Sequence, residues 1–262
     1  MNYLHPRSEV RWNKKCFNHR YIVHVPHFLW AGLVQEHGPR PLPGAHWDDY
    51  EVERLASMEA HLRPGDVLFD IGAESGWLSA IYAQFVGAEN MCLFEPSAPQ
   101  WPNIQATWQA NGLPNPLTTL CGFVSDSGEA RPMRRAWPAE AIGSVLLEEM
   151  KFRSLIDSPA EYPRVSIDAF VRMTGIVPRA IAMDIEGAEL RALQGAREVL
   201  KQHRPFVWVS IHEGTPTEPG VLHYDFHSSL QEILDLMAGV GYTAEHLGTD
   251  WEQHWFFRGD GK

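Results

Sequence analysis

Residues 67–76 read Val67-Leu68-Phe69-Asp70-Ile71-Gly72-Ala73-Glu74-Ser75-Gly76. An apolar run of strand length ends on an acidic residue and breaks at once into a glycine-punctuated turn. The next ten residues, 77–86, place Leu78, Ile81, Tyr82 and Phe85 on one helical face. A strand that feeds a helix through such a turn is the opening unit of a doubly wound α/β sheet, whose ligands lie outside the carboxyl ends of the strands. Gly72 and Gly76 remove side chains at that edge, and a helix starting at Gly76 and Trp77 presents free N–H groups beside them. The Gly-x-x-x-Gly spacing differs from the Gly-x-Gly-x-x-Gly of dinucleotide enzymes and disfavours a pyrophosphate site.

The alternation continues downstream. Strand patterns are predicted over residues 90–94, 117–124, 180–184 and 206–211, with helices over 102–111, 189–203 and 228–240 and final strands over 242–247 and 254–258. Residues 165–173 read as a strand entering a short helix. This order predicts a doubly wound, mostly parallel sheet with helices on both faces. Upstream, Val52, Leu55, Met58 and Leu62 give a helix over 48–62. Residues 1–47 read as an N-terminal extension that either folds over the cleft or makes an oligomer contact, and 48–262 as one domain with an insertion near 128–164.

Three further clusters fall at the same sheet edge. Glu95, 25 positions after Asp70 and followed by Pro96, ends the second strand, where a carboxylate can accept both ribose hydroxyls of an adenosyl group. Ser125 and Asp126 follow the third strand; Asp126 reads either as a contact to an adenine edge or as a turn residue. Asp184 and Glu186 leave the fourth apolar strand ahead of Gly187 and Glu189, where Glu189 reads as macrodipole stabilisation. Ile211-His212-Glu213 closes the fifth strand, and His212 there can deprotonate a substrate hydroxyl. A divalent metal on Asp184, Glu213 and the histidines 212, 223 and 227 is possible but not favoured, since their spacing fits no compact metal motif.

The net charge of −11 makes nucleic acid and anionic membrane surfaces poor generic partners. No apolar run reaches the ~20 residues of a membrane span, and residues 1–20 have no apolar signal core. The three cysteines (Cys16, Cys92, Cys121) are dispersed, which fits a reducing compartment. The expected location is cytoplasmic.

Taken together these pieces resemble the FkbM family of S-adenosylmethionine (SAM)-dependent methyltransferases. The resemblance runs from about Asp66 to His212 and rests on 67–73 with Gly76, Phe94-Glu95-Pro96, Asn111-Gly112-Leu113, Val124-Ser125-Asp126 with Gly128, residues 166–170, and Met183-Asp184-Ile185-Glu186-Gly187-Ala188-Glu189 followed by Leu193, Gly195 and Ala196. It implies a seven-stranded class I sheet, SAM as cofactor, and a methyl acceptor that is a hydroxyl on a sugar, glycan, glycolipid or natural product. Asp70, Gly72, Ala73, Gly76, Trp77, Glu95, Pro96, Ser125 and Asp126 are then the expected cofactor site, with His212 as base and Asp184 and Glu186 orienting the acceptor. Glu74 departs from the Asn common in the family at that position. Rossmann-type folds host many functions, so a nucleotide-dependent oxidoreductase and a catalytically inactive SAM-binding module are the competing readings.

Overall fold

The computed structural model describes residues 12–17, 20–26, 51–138, 163–212, 229–249 and 252–259. The strands are β1 (Trp12–Phe17), β2 (Tyr21–Pro26), β3 (Leu68–Ile71), β4 (Met91–Glu95), β5 (Thr118–Cys121), β6 (Phe123–Val124), β7 (Met133–Arg134), β8 (Arg164–Val165), β9 (Ala180–Met183), β10 (Phe206–Ile211), β11 (Tyr242–Thr249) and β12 (Gln253–Gly259). The α-helices are α1 (Val52–His61), α2 (Trp77–Val86), α3 (Trp101–Ala110), α4 (Ile167–Thr174), α5 (Glu189–Gln194), α6 (Arg197–His203) and α7 (Leu230–Gly239).

The main sheet runs β11-β12-β10-β9-β3-β4-β5-β7. Strands β10, β9, β3, β4 and β5 are parallel neighbours; β12 runs antiparallel to both β10 and β11, and β7 antiparallel to β5. The expected seven strands are therefore present, and an eighth is added: the two-residue β7, pairing only Thr118 with Arg134 and Thr119 with Met133 at the β5 edge.

Side chains alternate between two cores. Leu68, Leu93, Ala182 and Trp208 face one, packed against α1, α2 and α3; Phe69, Phe94, Ile181 and Val207 face the other, packed against α4 to α7. Both faces are covered, so β3, β4, β9 and β10 are buried along their whole length, which is why they read as unbroken apolar runs. The chain winds from β3 outward to β5 and then crosses back to β9 on the other side of β3. That reversal opens a crevice at the carboxyl ends of β3, β4 and β9.

Two local readings change. The strand predicted over 117–124 breaks at Gly122, where a Cβ would lie 2.7 Å from the Pro163 carbonyl oxygen. The helix predicted over 189–203 splits into α5 and α6 because Gly195 packs on the Ser125 carbonyl, and Asp168 then accepts the N–H groups of Glu198 (3.1 Å) and Val199 (2.9 Å) as a new helix start.

Of the N-terminal extension, residues 12–17 and 20–26 contribute the paired strands β1 and β2. They pack on α2 and α3: Phe17 stacks on Trp77 at 5.2 Å, and Asn111 bonds both the N–H and the carbonyl of His24. Among the described residues no helix is long and apolar enough to cross a membrane. Most of the predicted insertion, with Glu213, His223 and His227, lies outside the described residues.

Candidate active site

The crevice holds a cavity of about 240 Å³. Its floor is the turn after β3. Gly72 has φ +92° and its N–H, like that of Ala73, donates to the Phe94 carbonyl (2.9 and 3.0 Å). A Cβ on Gly72 would lie 1.9 Å from the Asp184 carbonyl oxygen, so only glycine lets the ends of β3 and β9 meet here. Gly76 (φ +81°) precedes α2 and faces the backbone of Ile104 at 3.1 Å, a packing role. Glu74 is left-handed (φ 49°), a conformation Asn tolerates well and Glu adopts at a cost of about 1 kcal/mol. Its side chain is exposed and its N–H donates to Glu95.

Glu95 ends β4 and is buried. One carboxylate oxygen accepts the Glu74 N–H at 3.0 Å and the other the Ser97 N–H at 2.7 Å. Each oxygen keeps a lone pair free, and the group lines the cavity. Burial pushes the Glu95 carboxyl up to about 8, against the two backbone bonds, with Glu74 and Asp70 adding repulsion. Asp70, also buried and lining the cavity, is raised to about 6 chiefly by burial, and its Oδ2 has no hydrogen-bond partner. Ala73, Trp77 and Pro96 line the same space; Ser125 and Asp126 do not. The wall beyond β5 is made by Gly122, Phe123 and Val124 instead, because the break at Gly122 turns the chain before Ser125, and Asp126 points to solvent beside Ser127.

Arg54 and Tyr82 form the wall on the α1 side. Arg54 is buried, 3.2 Å from Glu51, and donates to Ser210 at 2.7 Å with its guanidinium over the Tyr82 ring. Among the described residues, the Arg54 Nε and the Tyr82 hydroxyl have no hydrogen-bond partner.

Asp184 and Glu186 line the far end, and His212 sits behind them. Its Nε2 lies 3.7 Å from Asp184, 3.6 Å from Glu186 and 2.5 Å from Glu252; its Nδ1 lies 3.0 Å from Glu189. Burial alone would lower the imidazole, but the bonds to Glu189 and Glu252 and the neighbouring carboxylates raise it to about 11. An imidazole holding its proton that firmly is not a base at neutral pH. The predicted base is thus brought to the predicted carboxylates. Glu189, read from sequence as macrodipole stabilisation, is fully buried and accepts from the Gly187 N–H at 2.9 Å as well as facing His212.

A family model described as the methyltransferase FkbM domain matches residues 70–244. The chain belongs to the FkbM methyltransferase family. Among solved structures, an FkbM methyltransferase from Methylobacillus flagellatus KT is 17% identical with a TM-score of 0.45, over 78% of this chain and 50% of that one. The chain thus spans about half of that protein's length. A SAM-dependent methyltransferase from Aquifex aeolicus is 11% identical with a TM-score of 0.47, over 87% of this chain and 97% of that one. M. jannaschii TYW2, solved with AdoMet, is 9% identical with a TM-score of 0.45, over 95% of this chain and 85% of that one. No curated protein matches the chain.

Three residues at or behind the cavity carried no motif. Arg54 and Glu252 lie outside residues 70–244, and Tyr82 reads as part of an apolar helix face. The i,i+3 spacing of Glu51 and Arg54 was the available signal for the first.

The raised Glu95 carboxyl has a consequence for folding. Its folded value, about 8, lies above its ordinary 4.5, so the folded state holds the proton more tightly. Stability is full below pH 4.5 and falls as pH rises toward 8, by on the order of a few kcal/mol. Urea unfolding from pH 4.5 to 8.5 should show this decline, and Glu95→Gln should make it shallower, leaving the smaller share from Asp70 below about pH 6.

Proposed function

We propose that this FkbM domain moves the methyl group of SAM to a hydroxyl of a sugar, glycan, glycolipid or natural-product acceptor. The observation that carries the reading is one cavity with a nucleoside-type acceptor, Glu95, at one end and the Asp184–Glu186 carboxylates at the other. The residues fit the cofactor. Glu95 has lone pairs for the ribose hydroxyls, Asp70 Oδ2 has an unused acceptor for an ammonium, and the Arg54 Nε and Tyr82 hydroxyl have unused donors for a carboxylate. When bound, SAM supplies an electrophilic methyl on a sulfonium.

The chain's own residues then orient and deprotonate. The fixed β3, β4 and β9 ends hold donor and acceptor in line, which lowers the barrier by removing motional freedom beforehand. Asp184, lining the cavity, takes the hydroxyl proton as the oxygen attacks, with Glu186 beside it. His212 positions these carboxylates through its Nε2 contacts.

Incubating the protein with SAM and a panel of hydroxyl acceptors should yield an O-methylated product. Asp184→Asn should lower turnover about 100-fold or more, with SAM affinity held within about threefold. Full turnover by both Asp184→Ala and His212→Ala would remove this assignment, and methylation of amine acceptors alone would replace the hydroxyl reading.

A further inference from the structure

At the far end of the cavity, which Asp184 and Glu186 line, and just behind it lies more negative charge than methyl transfer by a carboxylate base requires. Four carboxylates, from Asp184, Glu186, Glu189 and Glu252, converge within 3.7 Å of a single imidazole. They come from three places in the chain: the β9–α5 turn, the first turn of α5, and the residue before β12. Even with an imidazolium and the nearby Arg54 guanidinium, four carboxylates outnumber the cations, and like charges gathered in excess destabilise a partly buried site.

We infer that Asp184, His212 and Glu252 form a binding site for a first-row divalent cation at the acceptor end of the cavity. One ligand atom from each residue lies within 4.8 Å of the others. Ligands around an ion at ~2.1 Å stand up to roughly 4.2 Å apart, so sub-ångström side-chain shifts seat the ion. The set of one nitrogen and two carboxylates suits Mn²⁺ or Zn²⁺ better than the all-oxygen preference of Ca²⁺ or Mg²⁺.

A second observation points the same way. Metal-bound histidines characteristically give their other ring N–H to a carboxylate, which fixes the tautomer and aims the free nitrogen at the ion. Here Nδ1 faces Glu189 at 3.0 Å, and Nε2 faces Asp184, Glu186 and Glu252. Glu189 is wholly buried, its Oε1 also accepts the Gly187 N–H, and its Oε2 has no hydrogen-bond partner. A buried carboxylate is costly to keep for helix polarity alone; as the orienting partner of a metal-bound imidazole it has a use. The Glu186 oxygen, 3.6 Å from Nε2 on an exposed side chain, is free to turn toward the ion or the incoming acceptor.

The function of such an ion rests on the methyl-transfer reading: an acceptor hydroxyl ligated there would lose its proton more easily and be held at a fixed distance from the methyl donor. Binding of the ion does not rest on that reading and is measured alone. Mn²⁺ is titrated into metal-stripped protein and followed by loss of the free-ion paramagnetic resonance signal, and SAM is titrated into a parallel sample by calorimetry. The expected result is saturable uptake of one Mn²⁺ per chain, weakened at least tenfold by Glu252→Gln and by His212→Gln, and 10- to 100-fold by Glu189→Gln. Circular dichroism keeps any misfolded variant out of the comparison, and a rise in the wild-type melting temperature with Mn²⁺ provides a readout independent of the variants. Absence of saturable uptake, or uptake unchanged in folded Glu252→Gln and His212→Gln, overturns the site. SAM binding without Mn²⁺ uptake removes the ion and leaves the methyltransferase reading standing; Mn²⁺ uptake without SAM binding supports the ion and removes the cofactor assignment.

Discussion

Gly72→Ala should unfold or nearly unfold this domain. The new methyl would sit 1.9 Å from the Asp184 carbonyl oxygen, less than the sum of their radii by more than an ångström, and the obstacle is backbone with no rotamer to change. The residue also has φ +92°, which an L side chain resists. Overpacking of about 1–3 kcal/mol and left-handed strain of about 1–3 kcal/mol add, because they act on different coordinates. A loss of about 3–5 kcal/mol is expected in a urea melt, a large share of the stability of an ordinary domain. If β3 and β9 part to make room, the Gly72 N–H bond to Phe94 is strained and the cavity floor moves with it. A Gly72→Ala protein with unchanged stability would mean that the two strand ends do not meet as described.

The second large effect is Arg54→Leu. Arg54 is the cation beside Glu51, and the Glu51 carboxylate is buried with neither oxygen hydrogen-bonded. Removing the guanidinium leaves that carboxylate alone and removes one of the two bonds of Ser210, whose hydroxyl keeps His254 at 3.0 Å. Breaking a buried pair from one side costs about 3–5 kcal/mol, because the remaining charge has lost its compensation. Adding Glu51→Gln should restore part of the loss, since the residual charge is what the single variant suffers from. A double variant no more stable than Arg54→Leu would show that packing, not charge, sets the cost.

The parts of the site that could be read from the sequence are those fixed by local rules. The β3 strand, its glycine turn and α2 carry an unbroken apolar run and a period-3.6 pattern side by side, and Glu95 follows from the end of the next apolar run. Asp184, Glu186 and His212 were found because parallel strands deliver their carboxyl ends to one edge. Glu252 was hidden for a geometric reason. It neighbours His212 only because β12 folds back antiparallel on β10 with Ile211 opposite Gln253, a register that no short-range pattern encodes. The raised proton affinity of His212 was hidden for the same cause: a lone imidazole reads as an ordinary one until the carboxylates around it are known. Ser125 and Asp126 were placed in the cofactor site on the assumption of one continuous strand, and the turn at Gly122 removes them from the cavity wall. The split between α5 and α6 escaped because Leu190, Leu193, Ala196, Val199 and Leu200 keep helical spacing through Gly195, while the break is imposed by packing on Ser125 and by the distant Asp168 cap.

The central claim is that the cavity between Gly72 and Glu95 holds SAM. Its most direct test is calorimetric titration of the wild-type protein and of Glu95→Ala with SAM and with its demethylated product, with NADH as the control. The account predicts saturable binding of both SAM and product to the wild type, no binding of NADH, and affinity reduced about 10- to 100-fold in Glu95→Ala, the equivalent of losing two hydrogen bonds worth about 1.5–3 kcal/mol together. Saturable NADH binding without SAM binding, or SAM affinity unchanged by Glu95→Ala, would contradict it.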